Sequence, residues 1–373
     1  MNKRSNPFIY AARRGLSVVF GISVLVSASA AQAWSYNLTE LGTLGGTFSY
    51  AKGINDVGQV TGESESSGPV HAFLYENGTM TDLRPLPWDG SAGFSINSSG
   101  QVAGYAGFGY GGSKAAIFSN GGATNLGTLG GIQSEGFAIN DTGQVTGYAT
   151  TNVAQHAFLY SNGTMSDLGT LGGSTSTGYG INDTGQVTGS ATISGDTAYR
   201  AFLYNNGTMS DLGTLGGTNS FGYAINNAGQ ITGSAQIQIS DEAQHAFLYS
   251  NGSMADLGTL GGARSSGYGI NALGQVVGDS LTSGDLAEHA FLYSNGTMTD
   301  LNSLIDPAFG MTLTNARGIN VAGQIVGWGI NSSGETRAFL LTPVPEPETY
   351  AMVLAGLGLV GAAVRRQRGL LAR

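Results

Sequence analysis

Between residues 36 and 342, apolar residues come in short runs, each closed off by Gly, Asn, Asp or Ser, and the same series of runs keeps returning. The series is D-L-G-T-L-G-G, then S-x-G-Y-x-I-N-x-x-G-Q-V-x-G, then H-A-F-L-Y-x-N-G-T-M. Runs of this length between turn residues predict strands rather than helices. Asn-x-x-Gly separates two of the runs and Asn-Gly separates two others. The first suits a short hairpin with Gly at positive φ, the second a type I′ hairpin. The predicted strands are therefore G-Y-G-I-N, Q-V-T-G, H-A-F-L-Y and T-M-x-D-L, with G-T-L-G-G crossing to the next unit.

The I-N-x-x-G-Q core occurs seven times, with Gln at 59, 101, 144, 186, 230, 275 and 324. The Leu of D-L and the Ile of I-N keep one spacing in six units (Leu41 to Ile54, Leu83 to Ile96) and a longer one in the last (Leu301 to Ile319). The step from that Ile to Gln (Ile54 to Gln59) never changes, nor does the step from the start of H-A-F-L-Y to the next D-L leucine (His71 to Leu83). The step from Gln to the His, Lys or Arg that opens H-A-F-L-Y does change, as Gln59 to His71 and Gln230 to His245 show. Length variation thus concentrates in one loop, placed after the Q-V-T-G strand (after Gly62 in the first unit). Four antiparallel strands in about 42 residues, repeated seven times, predict an all-β seven-bladed β-propeller of four-stranded antiparallel blades. The last unit lacks a T-M-x-D-L strand, whereas residues 36–41 (YNLTEL) supply one with no H-A-F-L-Y before it. The N-terminal strand is expected to complete the seventh blade and so protect its edge. A β-solenoid is the alternative, but its coils are usually shorter and need no complementary half-units.

The two ends follow different rules. Residues 1–33 have a basic start, an apolar run from Leu16 to Val26 and small residues ending Ala31-Gln32-Ala33, which predicts a signal peptide cleaved before Trp34. At the other end Val344-Pro345-Glu346-Pro347 is followed by an apolar stretch from Tyr350 to Val364 and by Arg365-Arg366-Gln367-Arg368. This tripartite tail resembles the PEP-CTERM sorting signal of Gram-negative bacteria. The resemblance implies recognition of the Pro-Glu-Pro by an exosortase-type membrane enzyme and transient inner-membrane anchoring through a short C-terminal hydrophobic helix. It also implies cell-surface or extracellular location after tail removal. The repeats resemble the extracellular HAF-repeat family. The expected organisation is 1–33 signal peptide, 34–343 repeats and 344–373 sorting signal with a short transmembrane helix.

Composition narrows the function. Gly accounts for 62 of 373 residues, charged residues for 10%, and Cys is absent. Disulfides and Cys-ligated metals are excluded, and the glycines lack the every-third-residue period of collagen. The formal charge is −9, but residues 34–343 hold 7 basic and 22 acidic residues, or −15. So acidic a body repels nucleic acid.

The candidate chemistry is sparse. All four His (His71, His156, His245, His289) open H-A-F-L-Y, where Lys114, Arg200 and Arg337 stand in the other units. Lys and Arg do not ligate metals, so a structural role is expected. G-T-L-G-G lacks the Lys and helix of a phosphate loop, and the Asn-Asp-x-Gly of calcium loops is kept in only three units. The candidate ligand-face residues are the acids in or near the variable loops: Glu63, Glu65, Asp196, Asp241, Glu242, Asp279, Asp285, Glu288 and Glu335. Loops on a rigid scaffold are where binding usually develops. No Ser-His-Asp set, nucleotide fingerprint, metal site or cofactor site is expected. The sequence predicts a secreted, surface-sorted, non-enzymatic structural or interaction protein. By analogy with the sorting resemblance, it would serve the bacterial envelope or exopolysaccharide and biofilm matrix. A carbohydrate-binding, lectin-like propeller is one alternative, and a polysaccharide lyase or hydrolase another. The expected partners are signal peptidase, the sorting enzyme and extracellular polysaccharide, and no nucleic acid.

Overall fold

Strand β1 (Tyr36–Glu40) precedes the first repeat, whose strands β2 (Gly45–Ile54), β3 (Val60–Ser66), β4 (Val70–Glu76) and β5 (Thr79–Asp82) lie side by side in chain order, all antiparallel. The computed structural model describes residues 35–83, 89–109, 112–238 and 243–344. Ala31, Ala33, Trp34, Pro345, Glu346, Pro347, Arg365, Arg366, Asp241 and Glu242, with the signal peptide and the C-terminal apolar segment, lie outside these residues. Among the described residues the chain is all-β apart from three short 3-10 segments, and no helix is long and apolar enough to cross a membrane.

The second to sixth repeats each contribute four antiparallel strands in the same order. The sheets of the fifth and sixth repeats are joined by a single parallel pair, Gln244 with Arg264. The last repeat supplies only three strands, Thr312–Ile319, Ile325–Ile330 and Thr336–Pro343. Its fourth is β1, which pairs antiparallel with Thr336–Pro343 from Tyr36 opposite Pro343 to Glu40 opposite Phe339. The N-terminal strand therefore completes the sheet of the last repeat.

Local chemistry explains the turns. In the β2–β3 turn the Gly58 N–H donates to the Asn55 carbonyl at 3.0 Å, with Gly58 at φ 85°. Asn77 (φ 50°) and Gly78 (φ 80°) make the two-residue β4–β5 turn, both with positive φ as a type I′ turn requires. Gly62 answers a different need. The register of β2 against β3 shifts between Ala51 and Gly53, which pushes the Tyr50 carbonyl toward Gly62, where a Cβ would lie 1.9 Å from its oxygen. The same clash would arise at Gly104, Gly147 and Gly189.

The core lies between sheets. Phe73, Val60 and Ala51 of the first sheet pack against Val326 and Ala338 of the last and against Leu41, which follows β1, and the phenylalanines of H-A-F-L-Y are fully buried. Burying each such side chain stabilises by roughly 1.5–3 kcal/mol. Serine stitches the seams: the Ala72 N–H donates to Ser91 Oγ of the next sheet, and the Ala338 N–H to Ser49 Oγ of the first, both at 3.0 Å.

Two sequence expectations need correction. The Q-V-T-G strand does not end at Gly62, since β3 continues to Ser66, and the variable loop begins after it. In the first, fourth and sixth repeats, the G-G of the crossover is not only a link. There it enters the sheet, as where Gly45 pairs with Ser66. The extension arises because the second strand reaches far enough to offer the crossover a partner.

Deleting residues 34–42 should cause aggregation or lower the melting temperature sharply. It exposes the edge of Thr336–Pro343, losing hydrogen bonds worth about 0.5–1.5 kcal/mol each. Inserting a few Gly and Ser between Ser67 and Gly68 should be nearly neutral, as loop lengthening costs only about 0.6 kcal/mol per doubling. Thermal unfolding of both variants beside the parent checks this.

Candidate binding cavity

The first strand of each repeat ends at the Ile of I-N-x-x-G-Q, and the side chain of the Asn that follows is buried. Its oxygen accepts the backbone N–H of its own Gln (Gln144 to Asn140, 2.9 Å). Its amide donates twice, to the Gln Oε1 (2.8 Å from Asn140 to Gln144) and to the carbonyl of the Asn in the next repeat (3.0 Å from Asn140 to Asn182). The inter-repeat bond recurs from Asn55 to Asn97, Asn97 to Asn140, Asn182 to Asn226, Asn226 to Asn271 and Asn271 to Asn320, at 3.0–3.2 Å. Asn320 then donates to the Asn55 carbonyl at 3.1 Å, so the circuit returns to its start.

Three cavities follow one another away from this circuit. The Asn turns line one of about 260 Å³. The Ile residues, the small residues before them and the next residue up line one of about 200 Å³. The widest, about 570 Å³, is lined by Lys52, Phe94, Phe137, Tyr179, Tyr223, Tyr268 and Arg317, with Tyr50, Glu63 and Trp328 behind them. The first seven occupy one position, three before the Asn in each repeat.

The wall is continuous. Ring centroids are 5.1 Å apart for Phe94–Phe137, 5.5 Å for Phe137–Tyr179 and Tyr179–Tyr223, and 5.1 Å for Tyr223–Tyr268. Tilted and edge-on contacts such as these suit the ring quadrupoles. The Arg317 guanidinium lies 3.6 Å from the Tyr268 ring centre and 4.9 Å from that of Trp328, and Lys52 Nζ lies 4.4 Å from that of Phe94. Lys52 also pairs with Glu63 at 2.9 Å.

Burial sets the electrostatics. It lowers the Lys52 pKa, and the neighbouring Arg317 adds to the effect, though Glu63 opposes both. It raises the Glu135 carboxyl, whose Oε1 accepts from the Tyr148 hydroxyl at 3.1 Å, and pushes Tyr148 up to about 12. Burial, reinforced by Glu288, pushes Asp279 up to about 7, against the pull of Arg317 and of a hydrogen bond from Asn315 Nδ2.

The acids expected from sequence separate into two groups. Glu63 lines the cavity, and Asp279 stands beside it with Glu288 near enough to act on it. Glu65, Asp196 and Asp285 instead accept crossover N–H groups, from Thr47 (2.6 Å), Ser174 (2.6 Å) and Ala263 (2.7 Å). Glu335 pairs with Arg337 at 2.7 Å. Each His binds through Nδ1 to the Asp of D-L on the adjacent strand, at 3.0 Å for His71–Asp82 and 2.6 Å for His289–Asp300. Arg337 pairs likewise with Glu40 of β1 at 3.3 Å. Among the described residues no three His, Cys, Asp or Glu converge as a metal site would require.

The sequence reading missed the aromatic and cationic wall because it sought binding in loops of variable length. A usable signal was variation inside the strands. The position before the small residue of G-Y-x-I-N reads Lys, Phe, Phe, Tyr, Tyr, Tyr, Arg, and the one after V-x-G reads Glu, Tyr, Tyr, Ser, Ser, Asp, Trp. Their neighbours scarcely change.

Val344, the last described residue, lies at the opposite end from this wall. Its strand runs antiparallel to Ile325–Ile330 with Leu341 opposite Ile325, which places it beside the Asn turn. Its N–H donates to the Ser35 carbonyl at 2.9 Å, so both ends of the described chain meet there.

Residues 343–368 match the PEP-CTERM protein-sorting motif. That motif implies export, processing by an exosortase and a surface or extracellular location. Residues 169–335 match a family described as a protein of unknown function, DUF3466. No curated protein matches the chain significantly. Among solved structures, TolB from Acinetobacter baumannii is similar at 12% identity and a TM-score of 0.40, over 76% of this chain and 79% of that one. A prolyl endopeptidase from a study of inter-domain dynamics in catalysis and specificity is similar at 10% identity and a TM-score of 0.50. That match covers 84% of this chain and 51% of the endopeptidase, so this chain spans about half its length. At this identity the likeness concerns the fold alone.

Asp279 yields a pH prediction. Its folded pKa lies above the ordinary carboxylate value of about 3.9, so ionisation costs the folded state stability as pH rises from about 4 to about 7. Asp279→Asn should therefore melt a few degrees above the parent at pH 8, with the difference shrinking toward zero near pH 4. Melting curves across pH 4–8 check this, and a pH-independent difference would contradict it.

Proposed function

We propose that this protein is a closed seven-bladed β-propeller, exported and sorted to the cell surface, that works as a non-enzymatic saccharide-binding module of the envelope or its polysaccharide matrix. The closed Asn circuit, and β1 as fourth strand of the last sheet, favour the ring over a solenoid. The observation that carries the binding reading is the aromatic wall from Phe94 to Tyr268. Pyranose rings present an apolar C–H face that stacks on aromatic side chains, and their hydroxyls need the acceptors that Glu63 and Asp279 provide. Attachment through the C-terminus at the Asn end would leave this wall facing away from the point of attachment.

The non-enzymatic reading rests on how the carboxylates are engaged. A glycosidase needs a protonated carboxyl and an ionised one flanking the scissile bond, each able to exchange its partner for substrate or water. Here Glu63 is tied to Lys52, Glu135 to Tyr148 and Asp279 to Asn315.

The test is retention of the exported protein on immobilised polysaccharides, neutral and acidic, with parallel assays for reducing-end release and unsaturated products. Retention without turnover is expected. Phe137→Ala and Tyr179→Ala should each weaken it about tenfold, in line with loss of an aromatic stacking contact plus its buried area. Retention unchanged in both variants, or product release abolished by changing Glu63, would overturn the reading.

A further inference from the structure

The two cations of the cavity stand at neighbouring positions of the circuit, in the last and first repeats, where the other five repeats place aromatic rings. In an acidic protein this clustering is unfavourable by itself: Arg317 and Lys52 repel, and burial weakens their hydration. Among the described residues one counter-ion is in direct contact, Glu63 on Lys52. The Arg317 side chain makes no hydrogen bond or ion pair among the described residues; aromatic faces hold its guanidinium, and its buried Nε has no partner. Glu135 acts on Lys52 and Asp279 on Arg317 through space, but the Arg317 guanidinium is left, among the described residues, without a contacting counter-ion in a concave site.

That arrangement discriminates among ligands. An organic cation would find the aromatic faces nearest the acids already occupied by Arg317 and Lys52. A neutral ligand could accept from the guanidinium but would leave its charge without a counter-ion. A planar carboxylate matches the guanidinium fork and supplies the contacting counter-ion that Arg317 lacks. We propose that the wide cavity binds a uronic-acid saccharide, its carboxylate against Arg317 and Lys52 and its ring on the wall that begins at Phe94. This inference rests on the saccharide-binding reading and names the class of sugar. Across the cavity from the cations, Tyr179 and Tyr223 offer rings for further sugar units. Asp279, held by Asn315, adds little competing negative charge while it keeps its proton.

Calorimetric titration of the exported protein tests it. The probes are trigalacturonate, trimannuronate and triglucuronate, each beside its methyl ester, with cellotriose and xylotriose as neutral sugars. At least one acid should bind about tenfold or more tighter than its ester, as expected for a charge-assisted hydrogen bond, and that preference should fall as salt rises. Arg317→Gln should lower the acid-to-ester affinity ratio several-fold, whatever it does to the ester itself. Should that variant fail to fold, the acid-to-ester ratio and its salt dependence in the parent still decide. Equal binding of acid and ester, or equal loss of both in Arg317→Gln, overturns the carboxylate inference and leaves the saccharide reading standing. Binding of the neutral sugars alone does the same. No binding of any probe overturns both.

Discussion

The carboxamide of one asparagine per repeat is the interaction on which the rest depends. A buried Asn has two donors and an acceptor to satisfy, and here each has an assigned place: two bonds close the local turn and one reaches the next repeat. Aspartate could not substitute, because it would bring a charge and lose both donors. Since each bond runs from a turn to the neighbouring turn, the seven together fix the spacing of the first strands. Everything above them inherits that spacing: the buried Phe between sheets, the serine seams and the wall of successive ring contacts, each at 5.1 or 5.5 Å.

The same strands divide labour along their length. At the Asn end the residues are nearly invariant from repeat to repeat, because each must satisfy the same backbone geometry. Three positions before the Asn the constraint lapses, and the chain places five aromatic residues and two cations there. Their different side chains cost the scaffold little, because their backbone positions are already set. The result is an asymmetric wall on a repetitive frame, with its positive side at the junction of the last and first repeats. The first and last described residues, Ser35 and Val344, meet at the Asn end, away from this wall.

Much of the scaffold was legible in the sequence. The unit length, the two turn types, the antiparallel order of strands and the role of residues 36–41 followed from spacing and from the Asn-Gly and Asn-x-x-Gly signals. Strand ends were less so, because β3 passes Gly62 on the strength of partners that only the folded sheet supplies. The cavity was the least legible. Acids in variable loops drew attention, yet Glu65, Asp196 and Asp285 spend their oxygens on backbone N–H groups of the crossovers. Lys52 and Arg317 belong to the first and last repeats, far apart along the chain, and only the meeting of those repeats makes them neighbours. The paired roles of the H-A-F-L-Y histidine and the D-L aspartate were hidden for a similar reason. They sit on successive strands and become adjacent only once the hairpin between them closes.

The most direct test compares two asparagines of equivalent turns in the third and fifth repeats. Asn140 belongs to the circuit; Asn227 is exposed and bonds only to its neighbour Asp183. Thermal and denaturant unfolding of Asn140→Ala and Asn227→Ala, beside the parent, measures what the circuit contributes. The account predicts that Asn140→Ala lowers the whole unfolding transition by about 1–3 kcal/mol, since it strands the buried Asn182 carbonyl and takes the acceptor from the Thr142 and Gln144 N–H groups, while Asn227→Ala changes it by under about 0.5 kcal/mol. Equal, small effects from the two substitutions would contradict it.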